Sequence, residues 1–179
     1  MSIAGNGLRS IDSAVFLKAL FGPQGGGGHT RPQKVVEWAL SLENDCGVDF
    51  WAVVTTAWSS FDLIPHRDFE MLFRKFKHFA PAPVSLSAPL TVFRGQNALV
   101  ASGLSWTTNL EVAEGFARGH RGVSYPEPTI LEMEIGGKDI AFALSDRGED
   151  EIVLWRIPPK SRSIRSRSVT PWSTRIVST

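Results

Sequence analysis

Apolar positions fall into two textures along this chain. In the first half they recur three and four residues apart, the spacing of one helical face. Val15, Phe16, Ala19 and Leu20 predict a helix over 12–21, with Ser10 or Asp12 able to cap its start and Gly22-Pro23 to end it. Thr30 and Gln33 have capping-box spacing ahead of Val35, Val36, Ala39, Leu40 and Leu42, which predicts a helix over 31–43. Residues 47–61 are strongly apolar and read as a third helix. Pro65 opens a fourth, with Phe69, Leu72, Phe73 and Phe76 on one stripe and Arg67, Arg74, Lys75 and Lys77 elsewhere on its surface. A phenylalanine stripe of this kind predicts core packing.

Pro81 and Pro83 end the helical texture, and alternation takes over. Leu90 to Arg94, Leu104 to Thr107, Thr129 to Ile135, Lys138 to Phe142 and Ile152 to Trp155 read as strands. Between the second and third, Thr108 and Glu111 form another capping box before Val112, Ala113, Phe116 and Ala117. The expected fold is α+β: a helical N-terminal segment over 1–85, a strand-rich core over 86–159 and a Ser/Arg-rich tail over 160–179. The tail reads as low-complexity and loosely held.

Composition adds a few exclusions. The chain has 179 residues, 42% apolar and 21% charged, which is ordinary globular usage. The single cysteine, Cys46, excludes an internal disulfide framework and a four-cysteine zinc site. No stretch approaches the roughly 20 apolar residues that span a bilayer, and Met1 to Gly7 show no signal-peptide pattern. The expectation is a soluble, cytoplasmic protein with no membrane partner. The net charge of +1 is unevenly spread: from Arg156 onward there are six cations and no acid, so the preceding 155 residues carry −5. A tail of that sign can attract nucleic acid or an acidic partner; it can equally be a solvated end.

Three short pieces in the second half carry candidate chemistry. They are Val92-Phe93-Arg94-Gly95, then Ser105-Trp106-Thr107-Thr108, then Arg147-Gly148-Glu149-Asp150-Glu151 running into an apolar strand. In that order, arginine, Ser-x-Thr and Glu-x-Glu resemble the Arg-Ser-Glu class of ADP-ribosyltransferases. That class includes cholera-toxin-like and clostridial toxins and the arginine-specific mono-ADP-ribosyltransferases. The resemblance covers about a third of the chain, and Ser-Trp-Thr departs from the common Ser-Thr-Ser while keeping the first hydroxyl. It implies a core of two small packed sheets. It also implies NAD as substrate with no metal, and a macromolecular acceptor, by the Glu-x-Glu pattern a protein arginine.

The residue types suit that chemistry. A guanidinium pairs bidentately with phosphate oxygens, so Arg94 at a strand end suits the pyrophosphate, and Gly95 beside it would admit the ligand to the backbone. Cleavage of the nicotinamide–ribose bond develops oxocarbenium-like charge, which a fixed carboxylate stabilises. The resemblance gives that role to Glu151, the orientation of Glu151 and the nicotinamide pocket to Ser105, and the acceptor to Glu149. Trp106 and Thr107 belong to the same NAD-binding strand. Alternation turns Trp106 to the opposite face, where packing is its expected role. Taken singly, Arg94 also reads as a surface arginine and Glu149-Asp150-Glu151 as a solvated acidic turn.

Other candidates are weaker. The glycine run 25–28 lacks the Gly-Lys-Ser/Thr ending of a phosphate loop and reads as a flexible linker. His29, His66, His78 and His120 show no metal-ligand spacing, and no Gly-x-Ser-x-Gly elbow exists. Cys46 reads as a core thiol, and Tyr125, between prolines, as a loop residue able to cover a bound dinucleotide. Two further functions stay open: an NAD glycohydrolase of the same fold, and a non-catalytic module binding nucleic acid through the basic tail.

Overall fold

The computed structural model describes residues 12–120, 123–145, 148, 150–159 and 163–170. The chain divides into two units, at Ala80 and Pro81. The first is helical: α1 (Ser13–Phe21), α2 (Arg31–Ser41), α3 (Gly47–Ala57) with a 3-10 turn at Trp58–Ser60, and α4 (His66–Lys75) with another at Lys77–Phe79. The Asp12 carboxylate accepts from Ala14 N at 2.8 Å and caps α1. The expected capping box at Thr30 does not form. Thr30 already has helical φ and ψ, and its hydroxyl donates back to Gly27 O at 3.2 Å.

The phenylalanine stripe of α4 is core. Phe69, Leu72, Phe73 and Phe76 are fully buried, as are Phe50 and Trp58. Their rings meet edge-on and stacked: Phe50 lies 4.7 Å from Phe76 between centroids, and Trp58 lies 5.0 Å from Phe69. The indole N–H of Trp51 is satisfied by Phe76 O at 2.9 Å. The α1 and α2 stripes are narrower than the sequence pattern implies, for Val15 is 59% and Leu40 53% exposed. The glycine run is not slack linker throughout: a β-carbon at residue 25 would stand 1.7 Å from Leu20 O.

The second unit is built on one antiparallel sheet rather than two small ones. Its strands are β1 (Leu90–Asn97), β2 (Ser105–Thr107), β5 (Pro128–Ile135), β6 (Ile140–Leu144), β7 (Glu151–Leu154) and β8 (Arg165–Ser168). They lie in the order β6-β7-β2-β1-β5-β8. A separate two-stranded ladder joins β3 (Gly119–His120) to β4 (Val123–Ser124). One sheet face carries Val92, Trp106, Met133, Ile135, Ile140, Ile152 and Leu154, closed over by Val84, Leu86 and Ile164. On the other face α5 (Leu110–Arg118) lays Ala113 and Ala117 against Ile130.

Two local expectations shift by a residue or more. Asn109, not Thr108, caps α5, accepting from Glu111 N at 2.9 Å and Val112 N at 3.4 Å. Asn caps as well as Thr, and the Thr107 hydroxyl fixes its backbone by accepting from Asn109 N at 3.0 Å. The stretch Lys138 to Phe142 is a 3-10 turn at Gly137–Asp139 before β6 begins. The tail is also not wholly loose, because Arg165–Ser168 pairs with β5. Arg165 reaches Glu132 at 3.2 Å, and Arg167 reaches Glu114 of α5 at 3.6 Å.

Candidate functional site

The three motif strands are consecutive in the sheet: β1, β2, β7. Thr107 pairs with Phe93 on one side and with Glu151 on the other. Paired residues of an antiparallel ladder share a face, so Glu151, Thr107 and Phe93 form one row. Ser105, two residues before Thr107, lies on that same face. It sits diagonally from Glu151, about 7–8 Å away at the backbone and within reach of a long side chain. Serine and glutamate therefore occupy adjacent places on one surface, and both are half-buried.

Arg94 arrives differently. Alternation along β1 puts it with Val92, on the face opposite Phe93. Its long side chain returns the charge to the neighbouring strand, where Nη1 donates to Ser105 O at 2.7 Å. Nε donates to the Gln96 side chain at 2.9 Å. Burial pulls the guanidinium well below its ordinary pKa, to about 10, and the Glu151 carboxylate and then Tyr125 act the other way. Arg94 is thus a cation at neutral pH. It is anchored to the backbone of the serine strand and lies in the field of Glu151. Tyr125, singled out from sequence as a loop residue, belongs to the same neighbourhood.

The turn entering β7 is built tightly. Asp150 has a left-handed φ of 43°, Gly148 a φ of 69°, and Asp150 O accepts from Thr108 N at 3.2 Å. Aspartate is among the few residues that tolerate this conformation. The bond ties the start of Glu151's strand to the end of the serine strand. Glu149 lies outside the described residues.

Three of the expected NAD contacts have other work. Trp106 is 2% exposed in the apolar core, and its indole N–H donates to Gly103 O at 3.0 Å, so it packs rather than facing a ligand. Thr107 is 6% exposed and its hydroxyl is the acceptor for Asn109 N. Gly95 does admit a close neighbour, but that neighbour is α5: a β-carbon there would stand 1.8 Å from Ala113 O. Conversely, Gln96 escaped the sequence reading. The signal was present, since it is a polar residue in step with Val92 and Arg94 on an alternating strand.

No protein-family profile, curated protein or solved structure matches the chain. No group of three or more His, Cys, Asp or Glu among the described residues could hold a metal ion. No described helix is long and apolar enough to cross a membrane.

Proposed function

We propose that the protein is a mono-ADP-ribosyltransferase, with an ADP-ribosyltransferase-like core, that uses NAD as substrate. The observation that carries the reading is the Arg94 guanidinium, bonded to the carbonyl of Ser105 and in the field of Glu151. The three residues come from adjacent strands: Ser105 and Glu151 share one face, and Arg94, rooted on the other, reaches the Ser105 backbone carbonyl. A guanidinium offers five N–H donors, and the two named bonds use one on Nε and one on Nη1. The remaining edge suits pyrophosphate oxygens.

In this reading Arg94 holds the pyrophosphate while the bond between nicotinamide and the ribose C1′ breaks. Its electron pair leaves with nicotinamide, and positive charge grows on the ribose. Glu151, fixed by its pairing to Thr107 and by the Asp150 turn, stabilises that charge. Ser105 sits beside it to orient the carboxylate. An acceptor nitrogen then bonds to C1′ and loses a proton, a step the family resemblance assigns to Glu149 and a protein arginine.

The test is nicotinamide release from NAD by the purified protein. Glu151→Ala is expected to lower kcat about a hundredfold or more, the scale of losing one fixed group that stabilises transition-state charge. A wild type that neither binds NAD nor releases nicotinamide, with or without candidate acceptors, overturns the enzyme reading; full activity in Glu151→Ala overturns the site. Labelled NAD in a cell lysate separates transfer, which labels protein, from the glycohydrolase, which yields free ADP-ribose. The nucleic-acid module has less to draw on, because two of the six tail cations, Arg165 and Arg167, already face Glu132 and Glu114.

A further inference from the structure

Gln96 is 6% exposed, a buried amide in the same row of β1 as Leu90, Val92 and Arg94. Its Oε1 accepts from Arg94 Nε at 2.9 Å, and its Nε2 donates to Val100 O at 2.6 Å. These partners fix which way the amide points, since a guanidinium only donates and a carbonyl only accepts. The amide therefore joins the arginine to the loop between β1 and β2. The far end of that loop is held by buried Leu104 and by Gly103 O, which accepts from the Trp106 indole; its tip has less to hold it. Leu99 is 76% and Val100 53% exposed, so apolar burial does not pin it. The anchors of the tip are polar: Ala98 N to Glu127 O at 2.9 Å, Leu99 N to Asn97 Oδ1 at 3.2 Å, Val100 N to Asn97 O at 3.0 Å, and the Gln96 amide.

We infer that Gln96 is a positioning residue for the proposed reaction, holding the Arg94 guanidinium in its phosphate-binding pose and tying it to the Leu99–Val100 loop. This rests on the reading of Arg94 as the grip on NAD pyrophosphate. The long, flexible arginine side chain is held at Nη1 by the serine strand and at Nε by Gln96. Without Gln96 it keeps one tether and its plane is free to turn. A misturned guanidinium loses the bidentate geometry that matches two phosphate oxygens. The effect belongs to substrate binding, because the pyrophosphate takes no part in the bond that breaks.

The experiment compares wild type, Gln96→Leu and Gln96→Glu by NAD kinetics and by hydrogen exchange at the Arg94 Nε–H in isotopically labelled protein. For Gln96→Leu, KM for NAD is expected to rise about tenfold, the loss of one charge-assisted hydrogen bond, with kcat nearly unchanged. Its Nε–H should exchange faster. Gln96→Glu restores an acceptor for Nε, and should recover most of the affinity and the exchange protection, although it gives up the bond to Val100. Unchanged KM and protection in Gln96→Leu, in a wild type that turns NAD over, overturn the role of Gln96 alone. So does a fall in kcat shared by both variants, which marks a merely structural residue. A wild type with no NAD turnover overturns the reading beneath, and the exchange measurement then still decides whether Gln96 holds Arg94.

Discussion

The helical unit and the sheet unit solve burial with different materials. In the first, rings pack on rings: Phe50, Trp58, Phe69, Phe73 and Phe76 are fully buried, and the indole N–H of Trp51 beside them finds the Phe76 carbonyl. In the second, a comparable apolar layer of Val92, Trp106, Met133 and Ile152 is interrupted in β1 by Arg94 and Gln96. Setting a cation inside a strand costs desolvation, which is visible in its depressed pKa. A unit designed for stability alone would place an aliphatic residue there. The difference says where to look for function: in the unit whose core departs from its own pattern.

The sharpest way to break the helical side of this contrast is Phe73→Ala. Phe73 touches Phe50, Trp51, Trp58 and Phe69, so its loss leaves a cavity that several rings must fill. A cost of about 3–5 kcal/mol is expected, read by chemical denaturation. The corresponding break on the sheet side is Gly95→Ala. The added methyl group meets the backbone of α5, not a side chain that can swing away, so helix and strand must part. About 3 kcal/mol or more of destabilisation is expected, read by the same method. A neutral result would mean that α5 is not seated on β1 as described.

The smallest effect sharpens the comparison instead. Gly115 lies within α5, where a β-carbon would meet nothing within 4 Å. Gly115→Ala should therefore stabilise the unit by about 0.5–1 kcal/mol, through helix propensity alone. A thermal or denaturant shift in that direction would show that α5 carries an unoptimised position on its open side, while its inner side tolerates no added atom.

Much of the helical unit was legible because a 3.6-residue period needs no partner to be read. Phe69, Leu72, Phe73 and Phe76 announce their face by spacing alone. Val15 and Leu40 show the limit: they continue a stripe, but periodicity does not say how wide the covering neighbour is. Caps moved between Thr108 and Asn109 because both side chains can accept from a helix start, and the choice was made by Thr107. In the sheet unit the strands were visible and their order was not, since ladder pairing joins segments far apart in sequence. The motif reading put Arg94, Ser105 and Glu151 forward, but the hydrogen bond that carries Arg94 to the serine strand depends on register. The strand β8 was missed because Ser and Arg look like linker residues, although Arg165 and Arg167 alternate strictly with Ser166 and Ser168.

That last strand has a consequence for how the molecule keeps to itself. The flank of an open sheet exposes unpaired backbone donors and acceptors, and a neighbouring copy could add to it and begin a stack. Here the outermost strand among the described residues is four residues long, exposed along its whole length, and bears a guanidinium at every second position. A strand so short, carrying two bulky charged side chains that are already engaged by Glu132 and Glu114, is a poor template for a further copy.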